Sequence, residues 1–147
     1  MNAVQRLVAI EELEQLKAKY WYYLDHQDWE KWRDEIWAPD AELHVDAEAQ
    51  FKVGPREPMI EVVKESFIDM ISVHHGHTPI IEITSDTTAT GIWVMEDLLY
   101  RGKKNADGHS FVHGFGHYHE TYVKLDVGWR IRTSKLTRLR AYSQSIF

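Results

Sequence analysis

The chain has 147 residues, a formal net charge of −6 and no cysteine. Its length predicts one domain over residues 1–147, its acidic balance disfavours nucleic-acid binding, and the lack of cysteine excludes disulfides, thiolate nucleophiles and thiolate metal sites. The N-terminal segment has no long apolar run, so we expect neither a signal peptide nor a membrane-spanning helix, and a cytoplasmic location.

Three helices are predicted in the first half of the chain. Apolar side chains recur at intervals of three and four from Ala3 to about Gln27, which is typical of an amphipathic helix. Asp28 has the residue type of an N-cap for a short second helix through Ile36, and Pro39 is expected to end that helix. A third helix is predicted from about Glu57 to Met70.

The remaining segments have the alternating pattern of β-strands, with turn residues such as Asp-Gly between them. The predicted strands are Ala41–Asp46, Gln50–Gly54, Pro79–Thr84, Thr87–Arg101, Phe111–Leu125 and Trp129–Tyr142, with turns at Lys104–Ser110 and Asp126–Gly128. Gly91, Gly114 and Gly116 are candidate kink or bulge positions in the long strands. Helices first and long antiparallel strands last predict an α+β fold, with helices on one face of a strongly curved sheet.

Histidines are concentrated in the second half of the chain. Seven of the nine lie between His74 and His119, and three of these fall in the stretch "HHGH". A metal site, an acid–base site or a solvated loop would each account for that stretch. A metal site is disfavoured, because there is no cysteine, no HExxH motif and no carboxylate at a familiar spacing. Six tryptophans and seven tyrosines favour a pocket lined by aromatic rings.

The residue pattern leaves several side chains open to two interpretations. Asp97 shares one strand face with apolar residues, and a carboxylate buried there would need a partner, but parity does not decide which face is buried. His113 and His117 share a face of the next strand and would be either pocket residues or structural ones. Tyr20 precedes Asp25 by five residues, so Asp25 is either a carboxylate that holds an imidazole or an exposed helix end.

Four segments together resemble the SnoaL-like branch of the nuclear transport factor 2-like superfamily: "AIEELEQLKAKYWYYLD", "ISVHHGHTP", "TTATGIWVMED" and "YVKLDVGWRI". The resemblance covers nearly the whole chain. It is greatest to the bile acid 7α-dehydratases and more distant to scytalone dehydratases and hexachlorocyclohexane dehydrochlorinases. It implies a cone-shaped α+β fold, in which N-terminal helices pack on a mixed, mostly antiparallel sheet that encloses a pocket. It also implies elimination chemistry without metal or organic cofactor, and a homodimer or homotrimer.

The resemblance further implies a catalytic set of Tyr20, Asp25, His74 and Asp97. His74 would act as general base and Asp25 would hold it, with a carboxylate oxygen about 2.6–3.2 Å from a ring nitrogen. Tyr20 would donate a hydrogen bond to the developing enolate or the leaving hydroxyl, and Asp97 would orient Tyr20 or assist the departing oxygen. Further substrate-binding residues are expected among the aromatic and imidazole side chains, namely His77, Trp93, His113 and His117.

The expected function is a dehydratase for an apolar cyclic substrate, steroid-like or polyketide-like, that carries a hydroxyl and a carbonyl. The alternatives are an isomerase of the ketosteroid isomerase type and a non-catalytic module for small-ligand binding or assembly. A small apolar molecule is thus the expected partner, with no nucleic acid and no membrane.

Overall fold

The computed structural model describes residues 1–46, 51–102 and 110–145. The helices are α1 (Ala3–Asp25), α2 (Trp29–Lys31) and α3 (Arg56–Ser66), and a π-helical turn, Trp32–Ile36, follows α2. The strands are β1 (Trp37–Asp46), β2 (Phe51–Val53), β3 (Met70–Gly76), β4 (Ile80–Ile83), β5 (Thr88–Arg101), β6 (Phe111–Leu125) and β7 (Gly128–Gln144). The predicted turn at Lys104–Ser110 lies outside the described residues, apart from Ser110.

Seven strands form one mixed sheet in the order β2-β1-β7-β6-β5-β3, with β4 paired to the part of β5 that β3 leaves free. Only the β1–β7 pairing among the described strands is parallel. Helix α1 lies against β3, β4 and β7, and α3 lies against β1. The predicted α+β fold with a mixed, mostly antiparallel sheet is confirmed. In the described part of the chain, no helix has both the length and the apolar character needed to cross a membrane.

The face of the sheet that carries the core is decided by strand pairing. Trp93 of β5 lies opposite Tyr118 of β6, and both side chains are buried. Asp97 shares the buried face of β5, whereas His113 and His117 lie on the other face of β6, which we call the outer face. The core combines this buried face with apolar residues of the helices and the π-helical turn, chiefly Leu13, Leu16, Tyr20, Leu24, Trp32, Ile36, Met59 and Ile60.

Two predicted element boundaries are wrong. Pro39 does not end a helix, because the helical segment stops at Ile36 and Pro39 lies within β1. The β1–β7 register is irregular between Trp37 and Glu42, which accommodates a residue without a backbone N–H. The third helix ends at Ser66 rather than Met70, and Asp69 then adopts a positive φ of 57° that turns the chain into β3.

The first three residues of the HHGH stretch lie in β3, and His77 follows the end of that strand. His74 and His75 of β3 pair with Asp97 and Glu96 of β5, respectively. Neighbouring side chains of a strand point to opposite faces, so only one of these two imidazoles faces the core. The side chain of His74 is 5 % exposed and that of His75 is 54 % exposed.

The β6–β7 register shifts between Phe115, which pairs with Arg140, and Gly116, which pairs with Arg138. A bulge is therefore present in the long strands, but its extra residue is Leu139 of β7, and Gly116 is the β6 residue beside it. A Cβ at this position would lie 1.9 Å from the carbonyl oxygen of Thr137, so the close approach of the two strands requires glycine. Gly91 is not a bulge, because it pairs in regular register with β4 and β6.

Candidate active site

An apolar cavity of about 320 Å³ lies between the helices and the buried face of the sheet. Most of its wall is aliphatic or aromatic, from Leu24, Trp32, Leu43, Val45, Phe51, Val62, Val63, Phe67, Leu99 and Leu136. Ser66 also lines it, and five side chains with polar or charged groups meet there: Tyr20, His74, Asp97, Tyr118 and Arg138. A largely apolar wall with a few converging polar groups is the usual composition of a small-molecule site.

The contact expected between Asp25 and His74 is present. Asp25 is the last residue of α1, and its Oδ1 lies 2.6 Å from Nδ1 of His74. The backbone N–H of His74 donates to Oδ2 at 2.9 Å, and the Ser72 hydroxyl donates to Oδ1 at 2.8 Å. With the Nδ1 proton directed at the carboxylate, Nε2 carries the lone pair of the neutral imidazole.

Burial by itself would raise the pKa of Asp25, but the hydrogen bonds and the charge of its partners outweigh that effect. The His74 side chain and backbone and the Ser72 hydroxyl together hold the pKa of Asp25 below its ordinary value of 3.8. The carboxylate is thus ionised at neutral pH and fixed by three donors. Such a group orients an imidazole and stabilises its protonated form.

His74 borders a second, more open cleft as well as the apolar cavity. This cleft is lined by Asp25, Trp21 and Trp93, together with Glu14, Ala18, Tyr22, His26, Gly76, Thr78 and Pro79. Asp25 is in contact with this cleft and does not line the apolar cavity. The imidazole therefore lies between the apolar cavity and the more open cleft, while its carboxylate partner is on the side of the cleft.

Two tyrosines on different elements bring their rings together at the cavity wall. Tyr20 of α1 and Tyr118 of β6 are both buried, with ring centroids 5.9 Å apart in an edge-to-face arrangement. Burial raises the pKa of both phenols; Tyr118 and Glu120 raise that of Tyr20 further, and Asp97 and Glu120 that of Tyr118. Both groups therefore remain protonated hydroxyls at neutral pH. A hydrogen bond between the two side chains raises the pKa of Tyr20 and lowers that of Tyr118, as expected when the hydroxyl of Tyr20 donates to that of Tyr118.

Asp97 has the partner that its burial requires. Arg138 of β7 donates two hydrogen bonds to it, from Nη1 to Oδ1 at 2.8 Å and from Nη2 to Oδ2 at 2.6 Å. Gly114 of β6 makes room for this pair, since a Cβ there would lie 1.8 Å from Arg138 Nη1 and 2.4 Å from Asp97 Oδ1. Burial lowers the pKa of Arg138, but Asp97 outweighs this and raises it, so the guanidinium is charged.

Tyr118 and Arg138 are cavity residues that were not identified from the sequence. The alternation of side chains between the two faces of a strand did carry a signal for both residues. Tyr118 shares its face with Glu120 and Tyr122, and Arg138 shares its face with Ser134 and Leu136. Choosing the buried face of each strand, however, required knowing the pairing between strands.

The other predicted site residues lie apart from the apolar cavity. Trp93 lines the open cleft and donates from Nε1 to the hydroxyl of Tyr122 at 2.7 Å. His77 and His117 are not among the residues that line the cavity or the cleft. Neither is His113, whose Nε2 lies 2.6 Å from Oε1 of Glu96 on the outer face of the sheet. The placement of these three histidines does not support a role in contact with substrate in the cavity.

Glu96 is surrounded by imidazoles on the outer face. His75 and His77 approach its Oε2 at 3.7 and 4.0 Å, in addition to the His113 contact. Within residues 1–46, 51–102 and 110–145, no group of three or more histidine, aspartate or glutamate side chains is arranged to hold a metal ion. His75, His77 and His113 thus form a polar cluster around the carboxylate of Glu96.

The SnoaL-like domain family matches residues 5–135, and the chain therefore belongs to that family. A scytalone dehydratase-like protein from Novosphingobium aromaticivorans is similar in structure, with a TM-score of 0.84, 19% identity and coverage of 99% of this chain and 94% of that one.

Two further solved structures share the fold. A type 2 hexachlorocyclohexane dehydrochlorinase, LinA, has a TM-score of 0.81 and 16% identity, over 99% of this chain and 95% of that one. An NTF2-like protein with a cystatin-like fold from Novosphingobium aromaticivorans has a TM-score of 0.69 and 20% identity, over 92% and 85%. At these identities the likeness establishes the common fold, and the family resemblance stated from the sequence motifs is confirmed.

Proposed function

We propose that the chain, as one domain over residues 1–147, is a cofactor-independent lyase that removes water from an apolar cyclic hydroxy-carbonyl compound. The observation that carries the proposal is the 2.6 Å contact between Asp25 and His74, with the imidazole at the wall of an apolar cavity. Scytalone dehydratase-like and dehydrochlorinase structures with the same fold add support, since both names denote elimination reactions.

The reaction begins with proton abstraction. Nε2 of His74 takes a proton from the carbon next to the substrate carbonyl, and the electrons of the broken C–H bond form an enolate. Asp25 stabilises the imidazolium that results, because its carboxylate remains hydrogen-bonded to Nδ1. General-base catalysis of this kind contributes about 10²–10⁴-fold.

The second stage expels the hydroxyl group. The enolate electrons form the new C=C bond as the C–O bond breaks, and the imidazolium returns its proton to the departing oxygen, so that water leaves and neutral His74 is restored. Tyr20 donates a hydrogen bond to the enolate oxygen. A donor of this kind in a dry site stabilises charge that exists only during the reaction, and its removal costs about 10²–10³-fold.

The Asp97–Arg138 pair has a separate part in the proposal. Because Arg138 engages both carboxylate oxygens of Asp97, we assign Asp97 the task of fixing the guanidinium at the cavity wall. The guanidinium then assists the departing oxygen or the carbonyl oxygen, together with the hydroxyl of Tyr118. Because the charges of Asp97 and Arg138 cancel each other, this pair does not favour an anionic substrate.

Cavity size bears on the substrate class. A volume of about 320 Å³ is near the lower end of the range of about 300–1,000 Å³ for small-molecule sites. This favours compact polyketide-like ring systems with one or two rings over four-ring steroids.

The proposal also takes the protein to be a cytoplasmic homo-oligomer. Exposed apolar residues such as Ile71, Ile92 and Val94 support association through the sheet. Sedimentation analysis tests the oligomeric state.

The decisive experiment is a substrate screen with the purified protein. A panel of cyclic β-hydroxy-ketones with one, two and four rings is incubated with the protein, and products are analysed by mass spectrometry for loss of one water. We expect turnover of a one- or two-ring compound that His74→Ala abolishes and His75→Ala retains. The panel also contains β,γ-unsaturated cyclic ketones, and a double bond that moves into conjugation without a change of mass, detected by absorbance or NMR, would indicate an isomerase. Saturable binding without turnover across the panel would indicate a binding module.

A further inference from the structure

Lys17 is a charged residue in the protein core that the proposed mechanism does not use. It lies on α1, three residues before Tyr20, and its side chain is completely buried. Its Nζ donates to Oε1 of Glu120 at 2.5 Å, and the side chain of Glu120 is equally inaccessible. This ion pair joins α1 to β6 directly behind the cavity wall.

The ammonium group of Lys17 also contacts the faces of two cavity tyrosines. Nζ lies 3.9 Å from the ring centroid of Tyr20 and 3.8 Å from that of Tyr118. Contacts at this distance are attractive cation–π interactions, and they are strongest where water is excluded. The ammonium group thus holds both rings from their faces. Burial and the Glu120 carboxylate of the same ion pair raise the pKa of both phenols, so the effect of Lys17 on the site is to fix the position of the rings.

Glu120 fixes the position of the ammonium group through further contacts with the sheet. Besides Lys17, it accepts hydrogen bonds from the hydroxyl of Tyr122 at 2.5 Å and from that of Ser134 at 2.9 Å. Tyr122 in turn accepts from Nε1 of Trp93 at 2.7 Å. Glu120 is thus anchored to β5, β6 and β7 and gives Lys17 little freedom.

Stabilisation alone is a weak reason for charges at this place. Desolvating two ions is costly, and replacing a buried ion pair with apolar residues of similar volume is often neutral or stabilising. A role in the site accounts better for the pair, because the same ammonium group contacts both hydroxyl-bearing rings of the cavity.

We infer that Lys17 is a positioning residue of the candidate site: held by Glu120, its ammonium group fixes the rings of Tyr20 and Tyr118, and with them their hydroxyls, at the wall of the cavity. The catalytic consequence rests on the proposed function, whereas the effect on the two phenols does not.

The test uses a double substitution and a matched control. Lys17→Met/Glu120→Gln removes both charges. The glutamine carbonyl replaces the oxygen that accepts from Tyr122, and its NH2 group can donate to the hydroxyl of Ser134, which donates to the other oxygen in the unmodified protein. The control is Glu12→Gln/Lys124→Met, which removes an exposed ion pair of 2.9 Å between the same two elements, α1 and β6. Each double variant leaves the net charge of the protein unchanged.

The first measurement is the ¹³Cζ resonance of each tyrosine in labelled protein, assigned with Tyr20→Phe and Tyr118→Phe. We expect the Tyr20 and Tyr118 resonances to move in the Lys17/Glu120 variant and to remain unchanged in the control, with the resonance of exposed Tyr22 constant in both. A folded Lys17/Glu120 variant in which both resonances keep their positions overturns the inference, whatever reaction the protein catalyses.

A kinetic measurement follows once the screen identifies a substrate. We expect kcat to fall about tenfold in the Lys17/Glu120 variant. This is less than the loss of about 10²-fold or more that follows complete removal of a hydrogen-bond donor to developing charge, because the hydroxyls remain but are less well positioned. KM should stay within about twofold of its original value, because the hydroxyls act mainly on charge that develops during the reaction. An equal loss of kcat in the control variant contradicts a specific role for Lys17.

The unmodified protein supplies a measurement that does not depend on variant folding. Ring currents from Tyr20 and Tyr118 should shift the Hε protons of Lys17 upfield of those of the exposed lysines. Ordinary shifts for these protons would remove the geometric basis of the inference. If a screen finds no turnover while the tyrosine resonances respond as expected, the proposed function fails and the positioning role stands.

Discussion

At the scale of single residues, the adjacent histidines His74 and His75 offer a direct test, because their side chains lie on opposite faces of β3. We expect His74→Ala to lower kcat/KM by at least about 10²-fold, since the general base is lost. His75→Ala should stay within about twofold, because this imidazole is exposed and contacts Glu96 at 3.7 Å. Kinetics and a thermal melt of each variant check the prediction. A larger loss for His75→Ala would show that the base is wrongly assigned.

The pKa of Asp25 leads to a prediction about stability in acid. Because its pKa in the folded protein is lower than its ordinary value of 3.8, the ionised carboxylate stabilises the fold above that value. The contribution is lost as the pH falls through the folded-state pKa. The stability difference between the unmodified protein and Asp25→Asn should therefore be larger at pH 6 than at pH 3. Urea unfolding at both pH values measures it, and an equal difference would contradict the pKa assignment.

At the scale of elements, the bulge between β6 and β7 determines how these two strands lie beside each other. Gly116→Ala would bring a Cβ to 1.9 Å from the backbone oxygen of Thr137, and a backbone atom cannot rotate aside as a side chain does. We expect a loss of about 3 kcal/mol in the free energy of unfolding, in the range of severe backbone clashes. Gly102→Ala is the control, since its nearest contact would be an ordinary 3.4 Å. Equal urea midpoints for the two variants would refute the prediction.

At the scale of the whole molecule, the cavity is a space that helices and sheet enclose together. Val62 of α3 lines it, so Val62→Trp should fill part of the volume and weaken binding of a bicyclic hydroxy-ketone. Ile68→Trp is the control, because Ile68 is exposed and does not line the cavity. A ligand at a concentration of about one hundred times its Kd raises the free energy of unfolding by about 2.7 kcal/mol, and Tm rises with it. A reduced ligand-induced shift in Tm is expected for Val62→Trp alone, and equal shifts in both variants would argue against this binding site.

Local patterns were sufficient to predict most of the fold. Helix α1 and the long strands β5, β6 and β7 have strong periodicity over many residues, so their existence follows from spacing alone. Short elements were less predictable. Strand β3 was missed because three of its seven residues, Ser72, His74 and His75, are polar. Pro39 was assigned to a helix end, although an irregular register accepts it within β1. The Asp25–His74 pair was found through family motifs, since neither residue is distinctive on its own.

By itself, the amino-acid sequence determined the α+β class and the order of most elements, because these depend on local periodicity, whereas the candidate pair of Asp25 and His74 came from the family resemblance. The tertiary structure alone decided which strand faces are buried. A period-two alternation with apolar groups on both faces has no preferred side until neighbouring strands and helices cover one of them. That choice placed Asp97 beside Arg138, which is 41 residues away in sequence, and Lys17 beside Glu120, which is 103 residues away. Contacts between residues so far apart in the sequence arise only when the sheet assembles. The same choice of buried face placed His113 and His117 on the face away from the cavity.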